Sequence, residues 1–152
     1  MSASTILRNI LIFQLSFLSL GALAGGGMLI ISPEGALLGM PLSVMGNAPF
    51  KDFLIPGIIL FMVFGVCPAL LLYPLLRKPV SDIADKLNIY SDMHWSWTYS
   101  IYTAFALITW IQAEMMFLGH VFALHTFYMC YAVIMIFVLL LPQLRNRYKV
   151  IR

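Results

Sequence analysis

Charge is the first thing this chain lacks. Its 152 residues include nine Lys and Arg and six Asp and Glu, so only 10% are charged. A soluble domain carries roughly 25%, because its surface must be solvated. So small a share excludes an ordinary water-exposed surface and makes a bilayer the natural surroundings. Cysteine is almost missing as well. Cys67 and Cys130 both fall inside apolar runs, about 20 Å and about 13 Å from the same membrane face at helical rise. That difference in depth rules against a disulfide, no ligand-spaced pair exists, and both are expected to be buried packing groups. No P-loop Lys-Ser/Thr follows the glycine-rich run, and no basic domain exists that would hold nucleic acid.

What is abundant is apolar length: 62% of the residues are hydrophobic. A membrane helix needs about 20 consecutive apolar residues, and four runs qualify, at about 6–31, 53–76, 95–118 and 121–141. The first imitates a signal peptide, with Arg8, an apolar stretch and the small triplet Ala22-Leu23-Ala24. Apolar character continues past the triplet to Ile31, so residues 1–24 are expected to stay as part of a span. The expectation is an all-α, four-helix transmembrane bundle forming one domain over residues 1–152.

Lys and Arg alternate along the segments between spans. The N-terminal tail, the second loop and the C-terminal tail hold eight, and the first and third connections hold one, Lys51. The positive-inside rule then makes both termini cytoplasmic. Four of the cations, Arg145, Arg147, Lys149 and Arg152, follow the last span, where an anionic leaflet would attract them. Trp95 and Trp97 suit the inner interface, with His94 as an interfacial hydrogen-bonding group. The loop between them and span two mixes charge signs and predicts a short amphipathic segment around Asp82–Tyr90.

Small residues and prolines predict how the helices pack. Gly21 and Gly25, four apart, would let a neighbouring helix approach closely, within the chain or in a homo-oligomer. Pro68 removes a hydrogen bond inside span two, predicting a kink and a freed carbonyl at Phe64. The first outer loop, "SPEGALLGMPLSVMGNAPFKD", is too apolar to sit freely in water. It predicts interfacial or re-entrant turns, with Ser32-Pro33-Glu34 as a helix start, placed as a lid beside Glu114.

Glu114 is the residue that stands out. It closes the stretch "ITWIQAE" near the outer end of span three, and intramembrane ionisable groups mark function by default. Ser100, Thr103, Leu107, Trp110 and Glu114 recur every three or four residues and share one helix face. The candidate ligand-binding set is Trp110, Gln112, Glu114, His120 and His125 with Asn47, Lys51 and Asp52 from the loop, in a pocket between spans one, three and four. Glu114 is also the candidate acid–base group. A structural role, bonding Lys51, His120 or backbone groups across helices, is the competing reading. Glu114, His120 and His125 do not have the spacing of a metal site, so no metal is assigned. No two histidines face each other at one depth as a bis-histidine haem requires, so no cofactor is expected. The expected partners are membrane lipids, with a homo-oligomer or larger membrane complex left open.

The segments "SPEGALLGMPLS", "PFKDFLIPGIIL", "HWSWTYS", "LITWIQAE" and "LLLPQLRNRY" together resemble a family of small bacterial four-helix membrane proteins without an assigned activity, similar in architecture to DoxX-like proteins. The resemblance implies the four-helix architecture and transfers no functional residue. Two readings of function stand. One is a lipid- or isoprenoid-binding or accessory subunit protein. The other is a small membrane enzyme or redox component acting on a lipid or quinone through Glu114.

Overall fold

The computed structural model describes residues 2–46, 48–118 and 121–150. Four helices are long and apolar enough to cross a membrane: Ala3–Ile31, Leu54–Arg77, Trp95–Leu118 and Ala123–Leu140. The third has the limits expected from sequence, and the others differ by one to three residues. The described residues form no strand beyond an isolated bridge between Met93 and Lys149. Consecutive spans pack antiparallel, and the fourth also closes against the first. The result is the expected all-α bundle, in an up-down-up-down arrangement.

Both termini and the second loop gather at one end, called here the basic end. The long first loop and Glu114 lie at the other, the loop end. Buried side chains fill the bundle in three layers. Leu11, Leu15, Leu75, Trp97 and Tyr148 belong to the layer at the basic end, Leu18, Phe64, Leu107 and Ile111 to the middle, and Leu29, Met45 and Phe53 to the loop end.

Spans one and two make the closest contact, though not where the Gly21/Gly25 spacing placed it. A Cβ at Gly26 would lie 2.7 Å from the Phe61 nitrogen and 2.8 Å from the Gly57 oxygen, whereas one at Gly25 would meet only the Leu60 side chain, at 3.7 Å. Backbone therefore touches backbone at Gly26 and Gly57, within the chain. Packing of this kind is the main source of helix association in lipid.

Around Pro68 the second span widens instead of simply kinking. Leu60–Val66 form a π-helical segment, and the Cys67 N–H bonds the Met62 oxygen, five residues back. The carbonyl that finds a partner is Gly65, one residue beyond the expected Phe64. It accepts a 2.7 Å bond from the Ser19 hydroxyl of span one. An inserted π turn shifts the register of every carbonyl beyond it.

Both cysteines face outward and are free, which corrects their expected burial. An outward position in a membrane helix is as apolar as the core, so hydropathy does not separate the two. At the loop end, Ser32 terminates span one, its N–H bonding the Met28 oxygen at 2.9 Å. The expected helix start at Ser32-Pro33-Glu34 is a turn instead. The Ser32 hydroxyl donates to Glu34 Oε1 at 2.5 Å and holds that carboxyl below its usual range. Two short 3-10 turns follow, Ala36–Leu38 and Leu42–Met45. Gly35 (φ 82) turns the chain where a Cβ would meet the Met40 oxygen at 2.1 Å. The Phe53 N–H then ties the loop's far end back to the Pro33 oxygen at 2.9 Å.

The C-terminal tail is packed as part of the fold. A short helix, Pro142–Arg147, carries Leu144 and then Tyr148 into the basic end, both fully buried. The Tyr148 hydroxyl donates to the Leu75 oxygen at 2.7 Å, and the Tyr148 oxygen accepts from the His94 N–H, also at 2.7 Å. Burial pushes the Tyr148 phenol up to about 12. In the second loop only Asp82–Lys86 is helical, capped by the Ser81 side chain, a shorter segment than the one expected to reach Tyr90.

Candidate functional site

The face of span three that carries Ser100, Thr103, Leu107, Trp110 and Glu114 does point inward. Ser100, Thr103 and Leu107 are buried. The two hydroxyls satisfy themselves on their own helix, Ser100 donating to the Ser96 oxygen at 2.8 Å and Thr103 to the Tyr99 oxygen at 2.9 Å. Both hydroxyl protons are thus used within the helix, so the free donors of this face begin at Trp110. Its ring lies 6.1 Å from that of Phe64 on span two. The buried indole N–H stands beside the Glu114 carboxyl, off the geometry of a full hydrogen bond and with no other partner among the described residues.

His125, in the first turn of span four, is the second polar group at Glu114. Its Nδ1 accepts the Phe122 N–H at 3.2 Å, so a neutral ring carries its proton on Nε2. That Nε2 lies 3.8 Å from Glu114 Oε2, beyond hydrogen-bond length but within electrostatic reach. The His125 side chain is 8% exposed and that of Glu114 is 28% exposed. The carboxyl thus has one edge against a fixed imidazole and another open.

The open edge faces a cavity of about 60 Å³. Leu29 of span one, Pro56 of span two and Trp110 and Phe117 of span three wall it, while Met40, Met45 and Phe50 of the first loop cover it. Phe50 packs edge-on to Phe117, with ring centres 6.2 Å apart. Among the described residues, Glu114 is the only ionisable one in the lining. The loop therefore covers the carboxyl, and the space lies between spans one, two and three. That corrects the expected pocket between spans one, three and four. Span four supplies His125 behind the carboxyl and contributes nothing to the cavity wall.

The remaining sequence candidates separate. Gln112 is exposed, two residues and about 200° around the helix from Glu114. Asp52 accepts the Leu54 N–H at 3.0 Å and so caps the start of span two. Lys51 is exposed and pairs with no described carboxylate. Asn47 and His120 lie outside the described residues. Among those described, no three His, Cys, Asp or Glu side chains come together as metal ligands would. One buried polar group escapes a reading based on charge. Gln14, halfway along span one, is 5% exposed, and its Oε1 has no partner among the described residues. Its backbone oxygen accepts the Tyr131 hydroxyl at 2.6 Å. The only sequence signal was a single amide inside the apolar run "LIFQLSF".

The four long apolar helices define a multi-pass membrane protein of the helix-bundle class. Comparison with protein-family models, curated proteins and solved structures finds no match to the chain.

Proposed function

We propose that this is a plasma-membrane protein that binds a lipid or isoprenoid chain at the loop end, on its own or as an accessory subunit of a larger membrane complex. The observation that carries the reading is the loop-covered apolar cavity with Glu114 as the single ionisable residue among the described lining. Ligand sites are mostly apolar with a few placed polar groups. A cavity of about 60 Å³ accepts the end of a chain or part of a ring rather than a whole lipid. The Glu114 carboxyl, flanked by the Trp110 and His125 N–H groups, would meet an oxygen-bearing head. The Lys and Arg distribution puts the basic end in the cytoplasm and the cavity at the outer leaflet.

The second reading is a small membrane enzyme or redox component in which Glu114 exchanges a proton with a lipid or quinone. The observation favouring it is His125, whose fixed tautomer presents Nε2–H toward the carboxyl. Mass spectrometry of the small molecules carried by gently purified protein, wild type beside Glu114→Ala, tests the site common to both. One stoichiometric lipid or isoprenoid, lost in a variant that stays folded, is the expected result. Identical bulk lipid in both samples would reduce Glu114 to a structural group. A product that accumulates with wild type and not with Glu114→Gln would select the enzyme.

A further inference from the structure

At the basic end, away from the loop-end cavity, three cations from three different elements converge. Arg147, at the end of the tail helix, reaches back to span one, its Nη1 lying 3.4 Å from the Ser4 hydroxyl and 3.5 Å from that of Thr5. Arg8 follows those residues by four and three positions, so it projects from the same face of span one. Its guanidinium donates from Nε at 3.3 Å and from Nη2 at 3.0 Å to the Oδ1 of the neighbouring Asn9. Lys78 ends span two in the left-handed backbone region (φ 50), and its ammonium donates to the Arg147 oxygen. It also lies 4.9 Å from the centre of the Tyr148 ring.

The three cations feel one another. Partial burial, then Arg147, then Arg8 hold the Lys78 ammonium below the usual lysine range. Glu114 pairs with His125 and Asp92 with Arg145, and neither pair involves this cluster. The Arg147 Nε–H is buried and bonds nothing described. Like charges gathered and partly desolvated are costly, and an anion placed among them lowers the cost.

Depth identifies the anion. Span one has 29 residues, about 44 Å at helical rise, against a hydrocarbon core of about 30 Å. Its first turns therefore stand among the headgroups, and Arg8, about 8 Å from the helix start, lies at the hydrocarbon boundary. Lys78 immediately follows the last residue of span two, Arg77, at the same boundary. We propose that Arg8, Lys78 and Arg147 form a specific site for the phosphate of an anionic phospholipid in the leaflet at the basic end. The guanidinium groups of Arg8 and Arg147 and the ammonium of Lys78 would grip the phosphate oxygens, while the acyl chains run along the outward faces of spans one and two.

Native mass spectrometry of the detergent-purified full chain, offered phosphatidylglycerol or phosphatidylcholine with the same acyl chains, tests the site. One phosphatidylglycerol should be retained in preference to phosphatidylcholine. Arg8→Gln and Arg147→Gln should each lower that retention by about tenfold or more, the worth of a charge-assisted bond. Arg77→Gln, which removes an exposed cation at the same end, should lower it by no more than about fivefold, the general attraction of one surface cation. Melting temperatures identify any variant that has lost the fold. Arg8→Gln, which gives up only the Asn9 contact, stays informative if Arg147→Gln unfolds. Equal retention of the two lipids, or an Arg77→Gln effect equal to that of Arg8→Gln, would overturn the site. Displacement of the lipid by an equal concentration of inorganic phosphate would overturn the lipid assignment, because the anchored acyl chains should outlast a free ion.

Discussion

Adding one methyl group at Gly26 is the sharpest perturbation of the packing described here. The Cβ of Gly26→Ala would stand 2.7 Å from the Phe61 nitrogen and 2.8 Å from the Gly57 oxygen, both backbone atoms that cannot rotate away. Restoring ordinary contact at 3.4 Å requires spans one and two to part by about 0.7 Å along this seam. A gap of that size forfeits roughly a quarter to a half of each dispersion contact it opens, and lipid supplies no hydrophobic compensation between helices. A loss of about 1–3 kcal/mol follows, the usual cost of overpacking. Gly25→Ala and Gly27→Ala are the controls. Their methyls would first meet side-chain atoms at 3.7 Å and 3.8 Å, so they should change stability by less than about 0.5 kcal/mol. Equilibrium unfolding of the purified variants in mixed micelles reads all three. If Gly25→Ala costs as much as Gly26→Ala, the helix rotation described here is wrong.

Two further outcomes follow from the buried polar contacts. Ser19→Ala removes the donor to the Gly65 oxygen and should cost about 1 kcal/mol; an unchanged unfolding midpoint would mean that carbonyl finds another partner. At the basic end, His94 Nε2 donates to the Pro79 oxygen at 3.1 Å while Nδ1 accepts the Ser96 N–H at 3.3 Å, an arrangement that needs the neutral ring. Burial lowers its pKa from 6.5, so on lowering the pH the unfolded chain takes up this proton first. Stability present above about pH 6.5 should therefore fall as the pH drops through the folded value. Melting curves between about pH 7.5 and pH 5 should show that slope in wild type and a flatter one in His94→Asn, and parallel slopes would contradict the assignment.

The spans were legible because a membrane helix is defined by its own run of apolar residues, with little help from tertiary contacts. Span three, Trp95–Leu118, came out with the same limits in sequence and structure. What depends on helix rotation was not legible. Gly25 and Gly26 differ by 100° around the helix, and only the partner decides which one is crowded. The two cysteines show the same blindness, because lipid and protein interior select equally for apolar side chains. The inward face of span three was readable from its period, and so was the loop over Glu114, since so apolar a loop must fold onto something. Assigning His125 rather than Lys51 to Glu114 required knowing how the first turn of span four packs against span three. The tail "RNRYK" looks like a loose basic anchor, and nothing local indicates that Tyr148 is fully buried or that Arg147 returns to Ser4.

The central claim is that the cavity at Trp110 and Glu114 admits an apolar ligand, and Trp110 itself reports on it. The chain has three tryptophans, and only Trp110 lines this cavity. Titrating the detergent-purified protein with a short-chain isoprenoid quinone, which quenches indole fluorescence on contact, should give a saturable loss of emission in wild type. That saturable component should vanish in Trp110→Phe, leaving the linear quenching of Trp95 and Trp97. Linear quenching alone in wild type, or the same saturable component in Trp110→Phe, would contradict a ligand site at the loop end.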